Sequence, residues 1–363
     1  MNKGIPRARP LDFLQGRRAV LLSLAAVIAA LLLGLVLVAV IGVSIPDAVA
    51  AFAEGAWGSP YALAASINRS LVFALVGLGF VLANRANLTN VGGEGQIAVG
   101  AIAATAVCLH PGIAALPAGL GFVLPMLAAC VCGGLWGAIV GLLKVKVGTN
   151  EVISSLMLSF IGIWLLYASV QSEALLRQPM TSSSTLPESL EIPDATKLPL
   201  LTGDAAMPLH IGLPLAALLA VAVAVVLHRT VFGLRLRAVG LNPLASRKAG
   251  IAIAPAVVGV FFAAGALGGL AGSMMLQGEQ YTLKAGFSSG YGFDGLVVGL
   301  LARGSVTGVI AGALLFGFIR SGGINMEMMA SVPSSLVLVI QGVIIVALAG
   351  SARWMDRPQG GAR

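Results

Sequence analysis

A cluster of hydrogen-bonding side chains interrupts the apolar runs at "NRANLTNVGGEGQIAVG", residues 84–100, where Asn87, Asn90, Glu94 and Gln96 surround Gly92, Gly93 and Gly95. Amides offer paired donors and acceptors, and a carboxyl group can carry a proton or accept backbone N–H groups. Such a set suits recognition of a polar, uncharged ligand and needs no counter-ion. The glycines disfavour a smooth helix through the stretch, and unwound backbone at membrane depth is tolerated only against protein or a water-filled path. The plainer alternative is a turn followed by a capped helix. Glu94 accordingly has two readings: it orders a broken helix through backbone contacts, or it faces the path.

Two further stretches carry polar groups next to apolar runs. In "GTNEVISSLMLSF", residues 148–160, Asn150 is the expected N-cap and Glu151 lies in the first turn, which local helix energetics explain. Ser154, Ser155 and Ser159 follow at helical spacing and face either a polar path or a close helix contact. In "GFSSGYGFDGLVVGLLARGS", residues 286–305, Asp294 and Arg303 bracket a very short apolar run. The "GFSSG" around Ser288 has the G-x-S-x-G spacing of a hydrolase nucleophile, but no strand precedes it and no histidine follows it. A glycine-rich, polar entry to a membrane segment accounts for it better.

The elements that must position these residues are membrane helices. The chain has 363 residues, 58% of them hydrophobic and only 10% charged, more apolar surface than a single soluble core can bury. Ten spans are predicted, at 19–43, 61–83, 92–110, 121–143, 151–170, 209–228, 252–276, 292–302, 304–320 and 333–350. The fold class is therefore all-α integral membrane, with about ten transmembrane helices. The short eighth span points to broken or re-entrant segments, and an even span count leaves room for two pseudo-symmetric inverted halves. The run from 19 to 43 is too long for a signal-peptide core and is read as the first span, despite the basic residues before it and the "AVA" after it.

A formal net charge of +8 would suggest nucleic acid in a soluble chain; in a membrane protein it reports orientation. With the N-terminus inside, Arg69, Arg177, Lys197, Lys284 and Arg320 fall outside, and the other 17 of the 22 basic residues fall inside. Residues 1–18 and 351–363 are then cytoplasmic tails around a transmembrane domain at 19–350. Residues 229–251 form an internal loop and 171–208 an external one. The external loop carries "TSSST", several prolines and acids, and is either a solvated connector or part of a docking surface. Cys108, Cys130 and Cys132 read as packing residues, and His110, His210 and His228 as structural, with no metal-ligand spacing among them. No phosphate-binding loop, zinc pair or dinucleotide fingerprint is present, so active transport needs an ion gradient or a separate ATPase.

The internal loop contains "AVGLNPLASRKAGI", residues 238–251, which has its own helix punctuation. Asn242 is a cap, Pro243 fits the first helical position, Arg247 and Lys248 suit the last turn, and Gly250 suits a left-handed exit. "VGLNPLASRKAGI" resembles the cytoplasmic coupling segment of ATP-binding-cassette importer permeases of the branched-chain amino acid, ribose and nucleoside group. "NLTNVGGEGQ" is similar to that group's signature after the second span. "GTNEVISSLMLSF" resembles the first of the two permeases in nucleoside-type importers that work with lipoprotein binding proteins.

That resemblance implies a permease subunit with no catalytic residue and no cofactor of its own, while ATP and magnesium sit on a partner ATPase. Asn242, Pro243, Ala245, Arg247, Lys248 and Gly250 would couple to that ATPase, with Arg247 and Lys248 facing its acids or holding the helix at the lipid surface. Asn87, Asn90, Glu94, Gln96, Asn150, Glu151, Ser154 and Ser155 are the substrate-path candidates. The implied partners are a cytoplasmic ABC ATPase, a second permease subunit of a different chain, an external substrate-binding lipoprotein and membrane lipid, without nucleic acid. The implied location is the bacterial cytoplasmic membrane, and the implied cargo is a nucleoside. Two alternatives stand beside it: a ribose-type sugar, and an ion-coupled carrier using Glu94 or Glu151 as the proton site.

Overall fold

The structure is a computed structural model that describes residues 25, 28–29, 32–113, 116, 119–179, 186–333, 335–343 and 346. The basic residues of both tails, the "TSSST" stretch and much of the first and last expected spans lie outside the described residues. Contacts divide the chain into two units, 57–318 and the pair of segments 1–56 and 319–363.

The described residues are mainly helical, residues 32–40 and 335–343 included, and the helices with defined ends are α1 (Ile45–Trp57), α2 (Pro60–Arg85), α3 (Gly93–Cys108), α4 (Leu120–Val147), α5 (Glu151–Gln171), α6 (Gly212–Arg229), α7 (Val231–Leu241), α8 (Pro243–Lys248), α9 (Ile253–Met275), α10 (Tyr291–Leu301) and α11 (Val306–Ala330). A π-helical turn, Leu276–Gln280, prolongs α9. Six of these helices, counting α9 with its turn, are long and apolar enough to cross a membrane, and α3 and α10 are apolar but shorter. The chain is thus an all-α membrane protein. Local chemistry sets many of the ends. Ser59 caps α2 just before Pro60, Asn150 caps α5, and Gly148 ends α4 with φ +76°.

Two expectations change. The span placed at 304–320 continues to Ala330, and within the added turns Asn325 donates to the Ala51 carbonyl at 2.7 Å. The helix α1 was not anticipated. The described residues between α5 and α6 are ordered by pairing with the chain after α9. Ser189 and Ile192 donate backbone hydrogen bonds to Leu283 and Tyr281, and Leu198 donates to Gln277, whose buried side-chain amide donates to the Thr196 and Phe122 carbonyls. Isolated β-bridges pair Glu188 with Lys284 and Leu200 with His210.

In the larger unit, α9 packs on α4 and α3 through glycines that let backbones touch. A Cβ on Gly269 would overlap the Ala129 carbonyl, one on Gly265 would overlap that of Gly133, and one on Gly100 would overlap Gly269 itself. Lipid provides little hydrophobic drive between helices, so this close fit carries much of the association. Gly269→Val should therefore lower stability by about 1–3 kcal/mol or more, read as a lower thermal midpoint in detergent. Gly259→Val on the same helix, where a Cβ meets nothing within 4 Å, should leave the midpoint unchanged.

Candidate functional site

The segment between α2 and α3 re-enters the bundle. Gly93 lies against Val76, which is nine residues from the Arg85 end of α2 and so roughly 14 Å along its axis. The stretch 87–92 therefore runs unwound from the end of a span to its middle. There α3 begins, and so does α10. A Cβ on Gly292 would overlap the Glu94 backbone, so the first turns of the two short helices stand directly against each other.

Glu94 joins them. Its side chain is 3% exposed. One carboxylate oxygen accepts from the Gly290 N–H at 2.9 Å and the other from the Gly292 N–H at 2.6 Å. These are first-turn donors of α10 that the helix itself cannot satisfy, and the carboxylate also sits at the positive end of both helix dipoles. Gly290, at φ +84°, turns the chain so that both N–H groups face the carboxylate.

The unwound peptide is satisfied just as locally. Asn90 Oδ1 accepts from the Gly92 N–H at 2.9 Å, and the Asn90 and Gln96 amides exchange two hydrogen bonds of 3.3 Å. On α5, Ser155 Oγ accepts from the Val91 N–H and Ser159 Oγ donates to the Val91 carbonyl, both at 3.1 Å. Irregular backbone inside a membrane must be satisfied by protein in this way. Asn90, Glu94, Gln96 and Ser155 thus come together with Ser159.

The other path candidates lie elsewhere. Asn87, at φ +56°, and Asn150 are exposed at the Arg85 and Lys144 ends of their spans. Glu151 pairs with Lys144 at 2.6 Å, and Ser154 hydrogen-bonds the Asn150 carbonyl of its own helix. Sequence reasoning did not single out an ion pair toward the opposite end of α2, Arg69 with Glu279 at 2.6 Å, nor the stacking of Phe73 on Tyr291 with ring centroids 4.8 Å apart. A charged residue within a span was the available signal for Arg69. Farther along the external segment, Lys197 bridges Glu191 and Asp194 at 2.7 and 2.8 Å. Hydrogen bonding to Lys197 holds the Asp194 carboxyl below its usual range.

The stretch between α6 and α9 folds as two helices. Asn242 ends α7 and caps α8, its Oδ1 accepting from the Ala245 N–H at 3.0 Å, and Gly250 leaves with φ +81°. Leu241 and Leu244 are 81% and 67% exposed, an apolar tip that sequence reading missed. Gly240 packs on the backbone of Arg85–Asn87, where a Cβ would come within 2.7 Å of the Arg85 carbonyl oxygen. The loop thereby bears on the turn that feeds the Glu94 site. Among the described residues no group of three or more His, Cys, Asp or Glu is placed to hold a metal.

The family described as branched-chain amino acid transport system, permease component, matches residues 62–349. The chain belongs to that family. It is an ATP-binding-cassette permease of the branched-chain amino acid and nucleoside group. The permease is 34% identical to the glucose ABC transporter permease protein TsgB13 of Haloferax volcanii, over 89% of this chain and 85% of that protein. It is 32% identical to the guanosine ABC transporter permease protein NupP of Bacillus subtilis, over 91% and 93%. It is 29% identical to the nucleoside ABC transporter permease protein NupB of Lactococcus lactis, over 92% and 91%. No solved structure matches it significantly.

In the permease, Glu94→Gln keeps the shape of the joint but places an amide donor against one of two N–H donors. Losing one hydrogen bond to a charged group costs about 1.5–3 kcal/mol. The variant should insert, melt at a lower temperature and lose at least about tenfold in uptake. Wild-type melting and uptake in this variant would remove Glu94 from the site.

Proposed function

We propose that the permease forms the translocation path of an importer for nucleosides, driven by a separate cytoplasmic ATPase that binds ATP and magnesium. The observation that carries this reading is the similarity, over about nine-tenths of each chain, to permeases named for guanosine and nucleoside transport. A second reading, a sugar cargo, is favoured by the similarity to a permease named for glucose. The partners are that ATPase, a second permease chain and an external binding lipoprotein, and the folded stretches 172–179 and 186–211 are the surface offered to the last of these. Both termini and α7–α8 lie on the cytoplasmic side of a bacterial membrane, a reading that the distribution of basic residues supports.

Movement reaches the path along packed elements. The exposed Leu241 and Leu244, with the capped helix α8, dock in a groove of the ATPase. Through Gly240, displacement of α7 presses on residues 85–87, and so on the unwound segment and the joined helices. The head-to-head meeting of α3 and α10 also suits two inverted halves around a central path. The Glu94 cluster orders the walls of that path, since its polar atoms are engaged with backbone and with each other.

Labelled adenosine and uridine uptake, in cells with and without the gene, separates the cargo readings. Loss of nucleoside uptake that excess ribose or glucose cannot compete supports the nucleoside; loss of sugar uptake alone overturns it. For coupling, Ala245→Pro deletes the N–H held by Asn242 and should leave ATP hydrolysis running while uptake falls at least about tenfold. Inverting the charges of Arg247 and Lys248 should act in the same direction, and unchanged transport in both variants would remove α8 from the coupling role.

A further inference from the structure

At the Arg85 end of the larger unit, an open cavity of about 420 Å³ is lined by Arg85, Arg237 and Arg303, with Asn84 and Asn87 beside them. The three arginines come from separate places: the last residue of α2, the middle of α7, and the turn between α10 and α11. No acidic side chain is among the described residues that line the cavity. The Nε of Arg85 is buried and has no hydrogen-bond partner, and the positive charges of Arg85 and Arg237 repel each other. Like charges gathered around a cavity, one of them with a buried donor unused, are stabilised by an anion.

Where the cavity sits narrows the anion. Arg85 closes a helix of 26 residues, long enough to span the hydrocarbon, so the cavity lies at headgroup level. Beside it, α7 exposes Val231 and Leu234, apolar side chains that suit the boundary between headgroups and acyl chains. Guanidinium groups match phosphate oxygens in paired hydrogen bonds, and the two asparagine amides add neutral donors.

We propose that this cavity binds the phosphate of an anionic phospholipid headgroup, held by Arg85 and Arg237 with Arg303 completing its wall. Gly240 and Leu241 also line it, so the bound lipid braces α7 against the end of α2. The inference does not depend on the cargo.

The test uses the full chain, purified in detergent with the subunits that accompany it, stripped of lipid and offered phosphatidylglycerol, phosphatidylcholine or inorganic phosphate. Retained lipid is read by mass spectrometry and stability by the thermal midpoint. The wild type should retain phosphatidylglycerol over phosphatidylcholine, with about a fivefold loss for each of Arg85→Gln and Arg237→Gln. Lysine at either position should keep most of the preference. Stripped Arg237→Gln should melt no lower than stripped wild type, because a repulsion has been removed, and this reports a folded variant. Inorganic phosphate that protects the wild type and displaces phosphatidylglycerol would confirm a phosphate site open to a soluble source as well. Equal retention of the two lipids by the wild type, or an undiminished preference in the glutamine variants, would overturn the proposal.

Discussion

A carboxylate buried in the middle of a membrane protein has to be satisfied by its surroundings, and in this permease the surroundings are the N-terminal turn of another helix. Glu94 accepts from Gly290 and Gly292 with both oxygens and leaves no room for side chains between the two backbones. Breaking that joint would strand two backbone donors and an acid away from water, at several kcal/mol. The two short helices therefore behave as one body. Around the joint, α5 supplies two hydroxyls to the N–H and the carbonyl of one residue, Val91, and the Asn90–Gln96 pair closes the remaining turn.

This arrangement separates what is fixed from what can move. The glycine contacts of α9 with α3 and α4 are backbone on backbone and admit little sliding. By contrast, α7 and α8 are short and largely exposed, and within the larger unit the approach of Gly240 to residues 85–87 links them to the end of α2. A force applied at the apolar tip of Leu241 and Leu244 acts on that turn first. Mid-membrane rigidity and peripheral leverage are what an externally powered permease requires.

Much of this was legible in the sequence wherever the chemistry is local. Asn242, Pro243 and Gly250 mark the ends of α8, and Asn150 caps α5, because a cap acts on residues two or three positions away. The break before α3 and the short α10 were visible as glycine-rich polar runs. The partners of Glu94 were not, since they lie nearly two hundred residues further along and are backbone groups that no side-chain pattern announces. Ser155 and Ser159 read equally well as path or packing residues, and only the position of Val91 resolves them into supports for unwound peptide. The stretch after α5 read equally well as a solvated connector or a docking surface, because its order comes from pairing with the chain after α9, which no local pattern announces. Likewise α11 runs past its expected end, and Asn325 in the added turns is satisfied by the Ala51 carbonyl.

The central claim, that Glu94 makes one rigid body of α3 and α10 while the coupling segment moves, is tested most directly by hydrogen–deuterium exchange on the assembled transporter. The measurement compares the nucleotide-free and ATP-bound states. The account predicts that the Gly290 and Gly292 amides stay protected in both states, whereas exchange in α7 and residues 85–88 changes with nucleotide. Exposure of the two glycine amides on ATP binding would contradict it, because the joint would then open during transport.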